Sequence, residues 1–367
     1  MKIGILTFHT AKNIGAQLQA YALFYTLRKY NHDVEFVRYE PSYLSAPYSF
    51  LRNARIKNGI ASYVKQCILH VFFDTKTWLK TIRHYKVFQN QYLRFSEKKY
   101  YKPNELLISK YDAIIVGSDQ IWNPEITNGC VDEMYTLAFD SGRIRKISYA
   151  ASFSISHITK GNTQVLIKRL QSFSYISVRE KSLKSYLESF SNLHIDVVID
   201  PTLLLSKEEW LNLMSQKRII KKRYVLLYQA RGNKKAIYDK AKDLADKIGV
   251  DVYDASGMNY RIKKNNVQYV NPIEFLNLVY YAEAVVTVSF HGTALSVILE
   301  KPFYSIRLND GRDGRVEDLL NTVGLETQLK SIDEELGIPT IYYNEAKDVL
   351  CRLRLNSLSF LHKALNC

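Results

Sequence analysis

Short apolar runs alternate with stretches of helical periodicity along almost the whole 367-residue chain. In the first half Lys2–Phe8, Asp33–Tyr39, Tyr111–Val116, Lys146–Ala151, Tyr175–Val178 and Val197–Ile199 read as strands. Between them Ala16–Tyr30, Thr163–Ser172, Lys181–Phe190 and Ser206–Ser215 carry apolar residues at helical spacing. A run such as the Ala-Ile-Ile-Val of 113–116 suits a strand covered on both faces, which is the environment of a parallel sheet. Joining parallel strands requires a crossover, and a helix is the usual one. The alternation restarts after a basic stretch at 216–223. Tyr224–Gln229, Val250–Asp254, Ala284–Ser289 and Phe303–Ile306 read as strands, separated by helices over Lys234–Ile248, Pro272–Ala282, Gly292–Leu299 and Arg315–Val323. The chain is therefore expected to be α/β, with two Rossmann-like domains built on parallel sheets and a cleft between them at the strands' carboxyl ends. The expected boundaries are 1–215, a linker at 216–223, 224–343, and a last helix at 344–367 that packs back on the first domain.

Composition excludes several classes. Apolar residues make up 47% and charged residues 24%, enough to bury a large core and too little charge for disorder. Cys67, Cys130, Cys351 and Cys367 show no paired spacing, which argues against a disulfide framework or a zinc knuckle. The opening ten residues lack the pattern of a secretory signal, and no apolar run reaches the ~18 residues of a membrane span. The net charge of +15 calls for an anionic partner such as phosphate, acidic glycan or acidic lipid. Residues 51–110 hold 13 Lys and Arg against 3 Asp and Glu, interleaved with Tyr63, Phe72, Phe73, Trp78, Tyr85, Phe88 and Tyr92. This insert at 41–110 is read as helices with a solvated basic face, or as a docking surface for an anionic membrane. No nucleic-acid motif accompanies it.

Four constellations carry chemistry. In Val285–Ser296 a strand runs into Ser289-Phe290-His291-Gly292-Thr293 and then a helix. The first-turn amides favour an anion, Gly292 permits close approach, Thr293 adds a hydroxyl, and His291 titrates near neutrality. The plain alternative is a capped helix with a histidine packed beside it. In Val116–Pro124, Asp119 ends a buried strand and can accept a hydroxyl proton, while Trp122 can stack on a sugar face; the alternative is a cap and a core tryptophan. Arg179, in Ser177-Val178-Arg179-Glu180, offers a planar fork to carboxylate or phosphate, or forms a surface pair with Glu180. The loop Thr10–Gln19, with Asn13, Gly15 and Gln19, suits an acceptor or an anion, or is simply a turn. Arg307, Arg312 and Arg315 follow a strand and can hold a phosphate or stand in a solvated loop. His32, His70, His84, His157, His194 and His362 show no ligand spacing, so no metal site is expected. The dinucleotide Gly-x-Gly-x-x-Gly fingerprint is absent, which disfavours a nicotinamide cofactor.

Taken in order, the segments 13–23 (NIGAQLQAYAL), 116–124 (VGSDQIWNP), 147–153 (ISYAASF), 177–180 (SVRE), 200–205 (DPTLLL) and 289–303 (SFHGTALSVILEKPF) resemble the polysaccharide pyruvyl transferase family. The resemblance implies a two-domain fold similar to GT-B glycosyltransferases. It also implies transfer of a pyruvyl group from phosphoenolpyruvate to two hydroxyls of a sugar, forming a ketal, in bacterial capsule, exopolysaccharide or cell-wall polymer synthesis. By the family pattern His291, Gly292 and Arg179 line the donor site. Val288 and Ser289 stand where branches of the family carry Asp and Arg, Ile14 replaces a frequent Tyr, and Ser154 a frequent Gly. Arg231 or Arg315 then has to supply the missing donor-site charge.

The expected enzyme uses His291 as acid toward the donor and Asp119 as base toward the acceptor. Arg179, Ser289, Gly292, Thr293, Arg315 and Arg231 hold the donor; Asn13, Gly15, Gln19 and Trp122 hold the acceptor. Phosphoenolpyruvate is a co-substrate, and no cofactor is expected. The acceptor is read as a lipid-linked oligosaccharide, the location as cytoplasmic with reversible contact at the inner face of the plasma membrane. Two other readings stay open: a GT-B glycosyltransferase using a nucleotide sugar, and a non-catalytic protein that binds anionic glycan or membrane.

Overall fold

The computed structural model of the chain describes residues 1–45, 75–106, 110–139, 142, 144–215, 217–230, 234–256, 265, 267 and 270–366. Two compact units divide the chain, Met1–Val198 with Phe360–Cys367, and Ile199–Ser359.

The first unit is built on a seven-stranded parallel sheet in the order β3-β2-β1-β4-β5-β6-β7. Its strands are β1 (Lys2–Leu6), β2 (Asp33–Tyr39), β3 (Phe95–Tyr100), β4 (Ala113–Val116), β5 (Arg145–Ala151), β6 (Tyr175–Val178) and β7 (Ile195–Val197). β1, β4 and β5 are buried along nearly their whole length, as continuous apolar runs require. Its longer helices are α1 (Ile14–Lys29), α2 (Thr75–Tyr92), α3 (Lys160–Leu170) and α4 (Lys181–Glu188). Strand order reverses between β1 and β4, so the loops after these two strands open at a topological switch point.

Two features depart from the sequence expectation. β3 lies inside the stretch read as helical, and pairs parallel with β2. Its sequence, FSEKKY, exposes three consecutive polar residues and carries no apolar run, as suits an edge strand protected by charge. Part of the aromatic set assigned to a membrane-docking face is core instead. Tyr85 and Phe88 are buried, and Phe88 and Tyr92 pack edge-on to Tyr21 of α1. Tyr63, Phe72 and Phe73, with the rest of the 46–74 stretch of the insert, lie outside the described residues.

The second unit holds a five-stranded parallel sheet in the order β12-β11-β10-β8-β9. Its strands are β8 (Tyr224–Tyr228), β9 (Asp251–Asp254), β10 (Ala284–Thr287), β11 (Phe303–Ile306) and β12 (Leu329–Lys330). Its helices are α5 (Lys207–Leu213), α6 (Lys235–Ile248), α7 (Pro272–Tyr281), α8 (Phe290–Ile298), α9 (Gly314–Thr322) and most of α10 (Asn344–Asn366). Ser206 caps α5 and Asn271 caps α7 in full capping boxes. Here the strand order reverses between β8 and β10.

The division between units falls at Val198/Ile199, ahead of the 216–223 stretch expected as the linker. The reason lies in α10. Arg354 donates to the carbonyls of Leu203 (3.0 Å) and Leu205 (3.2 Å), and Ser357 Oγ accepts from Ile199 N (3.1 Å). These bonds fix the 199–205 segment and α5 to the second unit. The last turns of α10 belong to the first unit, where the Phe360 ring lies 6.3 Å from that of Tyr149 and Arg145 donates to the Leu365 carbonyl. Among the described residues no helix is long and apolar enough to cross a membrane.

Candidate active site

In the second unit the chain leaves β10 at the switch point and starts α8 within three residues. Ser289 has extended backbone and caps α8, its Oγ accepting from Gly292 N at 3.4 Å. Thr287 braces the turn: its Oγ1 donates to the Tyr228 carbonyl (2.8 Å) and accepts from Ser289 N (3.0 Å). Thr293 is fully buried, and its hydroxyl meets the Ser289 carbonyl (3.0 Å) and Ser305 Oγ (2.6 Å). The hydroxyl expected to face a donor is instead spent inside the fold, tying α8 to β11. Gly292 also has a different reason from the expected one. A Cβ there would collide with Thr287 Oγ1 and stand 3.1 Å from both Thr287 Cβ and Tyr228 Cδ1, so the close approach is between α8 and the sheet.

His291, second residue of α8, is 7% exposed and packs edge-on against Phe290. Its Nε2 lies 3.9 Å from Oδ2 of Asp200, a carboxylate that is itself 1% exposed. Asp200 opens the turn at 201–203, and its Oδ1 accepts from both the amide (3.0 Å) and the hydroxyl (2.7 Å) of Thr202. Sequence reasoning assigns Asp200 no role, since 91 positions separate it from the histidine; its place at the head of the DPTLLL segment is the one signal. Arg315 sits half-buried in the first turn of α9, a helix that packs against α8. Arg307 pairs with Glu317 at 2.9 Å. Arg231 lies outside the described residues.

In the first unit a polar row crosses the carboxyl ends of β4, β5 and β6. Asp119 holds a φ of +73°, a left-handed conformation that Asp tolerates better than bulkier residues. Its backbone carbonyl accepts from Ser152 N (3.1 Å), and its carboxylate accepts from Gln120 N (2.8 Å). Ser152 Oγ donates to Glu180 Oε1 (2.9 Å), which also accepts from Arg179 Nε (2.9 Å). Segments distant in sequence thus supply Asp119, Ser152, Glu180 and Arg179 as neighbours. The Arg179–Glu180 pair is buried rather than a surface pair, with side chains 4% and 10% exposed. Trp122 is fully buried and donates from Nε1 to the Tyr135 carbonyl (3.0 Å), so it is core and presents no face for stacking on a sugar.

Asn13 caps α1, its Oδ1 accepting from Ala16 N at 3.1 Å, and Gly15 is buried in the first turn. Gln19 is fully buried and donates to Thr7 Oγ1 (2.8 Å) and the Ala16 carbonyl (3.0 Å). In the loop between β1 and α1 is His9, to which sequence reasoning gives no role; its carbonyl accepts from Gln17 Nε2 (2.6 Å). His9 is 1% exposed, its Nδ1 lies 3.0 Å from the Thr7 carbonyl, and burial lowers its pKa to about 4. The imidazole is neutral there. His9 Nε2, Thr10 Oγ1 and Gln19 Oε1 are buried polar atoms without hydrogen-bond partners among the described residues.

The two units carry different chemistry. The second presents an imidazole beside a buried carboxylate at a helix start; the first presents a buried guanidinium–carboxylate pair and the Asp119 turn.

No curated protein matches the sequence at a significant level. Among solved structures, the UDP-GlcNAc 2-epimerase from Neisseria meningitidis bound to UDP-GlcNAc is 13% identical, with a TM-score of 0.52 over 100% of this chain and 94% of that one. The UDP-GlcNAc 2-epimerase from Methanocaldococcus jannaschii is 15% identical, with a TM-score of 0.48 over 96% of this chain and 91% of that one. At such identity the likeness concerns fold, two Rossmann-like units of the GT-B kind. The sequence model of the polysaccharide pyruvyl transferases matches residues 13–310, which takes in Asp119, Arg179, Asp200 and the whole start of α8. The chain belongs to the polysaccharide pyruvyl transferase family.

Proposed function

We propose that this transferase moves a pyruvyl group from phosphoenolpyruvate to two hydroxyls of a sugar, forming a ketal. The observation that carries the reading is the imidazole of His291 at the first turn of α8, beside the buried carboxylate of Asp200, in a member of this family. Protonating the donor's methylene carbon turns it into a methyl group and makes C2 electrophilic. One sugar hydroxyl then adds to C2, a second displaces the phosphate, and the two hydroxyl protons balance the methyl hydrogen and the released hydrogen phosphate. His291 supplies the proton to the methylene. Asp119, half-exposed at the end of β4, takes a proton from the incoming hydroxyl. Arg179 serves the donor as a cation, and Arg315 adds charge beside α8; each role is read separately by substitution. Asn13 and Gly15 at the start of α1 and the unpartnered Gln19 Oε1 suit sugar hydroxyls.

The acceptor we propose is a lipid-linked oligosaccharide used in a bacterial surface polymer, met at the cytoplasmic face of the membrane. The chain's net charge of +15 supports such contact. No cofactor enters the scheme. The test is phosphate release from phosphoenolpyruvate across a panel of lipid-linked and aryl glycosides. Release that depends on one glycoside, with a thermal shift by phosphoenolpyruvate and none by UDP- or GDP-sugars, supports the reading. A shift by nucleotide sugars alone refutes it in favour of a glycosyltransferase. Co-sedimentation with liposomes that ignores their anionic lipid content refutes the membrane contact.

A further inference from the structure

We propose that Asp200 is the positioning residue of His291: it holds the imidazole at the start of α8 and keeps it protonated. This rests on the reading of His291 as the acid. Asp200 has the three properties the role needs. It is fixed, because Oδ1 accepts from the Thr202 amide and hydroxyl at 3.0 and 2.7 Å, which turns Oδ2 toward the ring. It is close, with Oδ2 3.9 Å from Nε2, within the range where an opposite charge favours the imidazolium. It is shielded, at 1% exposure, so water does little to screen the attraction.

Burial alone pushes an imidazole the other way. His9 shows it within this chain: similarly enclosed, it is held at about 4 by desolvation. An acid that must deliver a proton near neutral pH cannot sit there without a counter-charge. The 201–203 turn, α7, α9, β10 and β11 pack on α8, and Tyr228 of β8 stands against Gly292. Their charged and titratable groups, with the residues that open the turn and α9, are Asp200, Tyr228, Glu274, Tyr280, Tyr281, Tyr304, Asp313, Arg315, Glu317 and Asp318. Glu274 is engaged with Asn271 N and Glu317 with Arg307. The Asp200 carboxylate stands at ion-pair distance from the ring.

The test is an NMR titration of the His291 imidazole in the full chain, assigned with His291→Gln, in wild type and Asp200→Asn. The expected result is a pKa lower in Asp200→Asn by about one to three units. With it the alkaline limb of kcat moves to lower pH, and KM for phosphoenolpyruvate changes less than kcat. An imidazole whose pKa does not move overturns the proposal, and so does one that moves with kcat and its limb unchanged. If Asp200→Asn does not fold, the wild type decides. His291 must titrate well above His9, and titration at or below His9 overturns the proposal. The titration needs no substrate. A wild type that releases no phosphate from phosphoenolpyruvate therefore removes the proposed function and leaves the pairing of Asp200 with His291 to be judged by itself.

Discussion

Replacing Gly292 with alanine tests whether this glycine serves packing or ligand approach. The added Cβ would run into Thr287 Oγ1, with Thr287 Cβ and Tyr228 Cδ1 each 3.1 Å away. Thr287 cannot simply rotate, since Oγ1 bonds both the Tyr228 carbonyl and Ser289 N. Relief therefore costs either those bonds, at about 1 kcal/mol each, or a shift of α8 off the sheet. Overpacking of this kind costs about 1–3 kcal/mol, and alanine's better helix propensity returns about 1 kcal/mol at most. With the middle of that range, about 2 kcal/mol, less the ~1 kcal/mol returned, a net loss of about 1 kcal/mol is expected. It is read by hydrogen exchange in peptides spanning β10 and α8, where protection falls about fivefold. Exchange is preferable to a global melt, because two units need not unfold in one transition. Gly292→Ala with Thr287→Ala should recover part of the loss, a coupling of at least ~0.5 kcal/mol. Unchanged or slower exchange in Gly292→Ala would refute the packing argument and return the glycine to a role in ligand approach.

His291→Gln should lower phosphate release by about 10²- to 10⁴-fold while leaving the thermal midpoint within a few degrees; near-normal turnover with a working acceptor sinks the acid assignment. Arg179→Met strips the partner from a buried carboxylate and should cost about 3–5 kcal/mol, whereas Arg179→Met with Glu180→Gln should regain much of it. Equal midpoints for the single and double variants in thermal melts would show that the pair is not coupled. His9 is neutral in the fold and readily protonated when unfolded. Between pH 6.5 and about 4 the unfolded chain thus binds more protons, and stability falls as pH drops through that window, by up to about 3 kcal/mol. His9→Phe, filling the space between Phe36 and Phe95, should flatten that slope in denaturant titrations; an unchanged slope assigns the loss to other groups.

Much of the fold is legible because parallel strands covered on both faces need unbroken apolar runs, and those runs are visible residue by residue along the chain. Asp33–Tyr39, Tyr175–Val178 and Phe303–Ile306 occupy the strands expected of them. Caps are equally local: Ser206 with Glu209, and Asn271 with Glu274, need three residues' reach. β3 escaped because an edge strand needs backbone pairing and no apolar run.

The candidate site divides along the same line. Sequence alone determined that a strand over 284–289 runs into Ser289-Phe290-His291-Gly292-Thr293 and then a helix from Gly292, which places the strand's end and the helix's start each two residues late, since such patterns depend on neighbours in the chain. Only the tertiary structure decided what surrounds them. It set Asp200 beside the imidazole, spent the Thr293 hydroxyl on Ser305, put Thr287 where a Cβ of residue 292 would stand, and sank Trp122 into the core. Charge pairing, burial and excluded volume act through space, between residues that the folded sheets and helices bring together, and no local pattern encodes those distances.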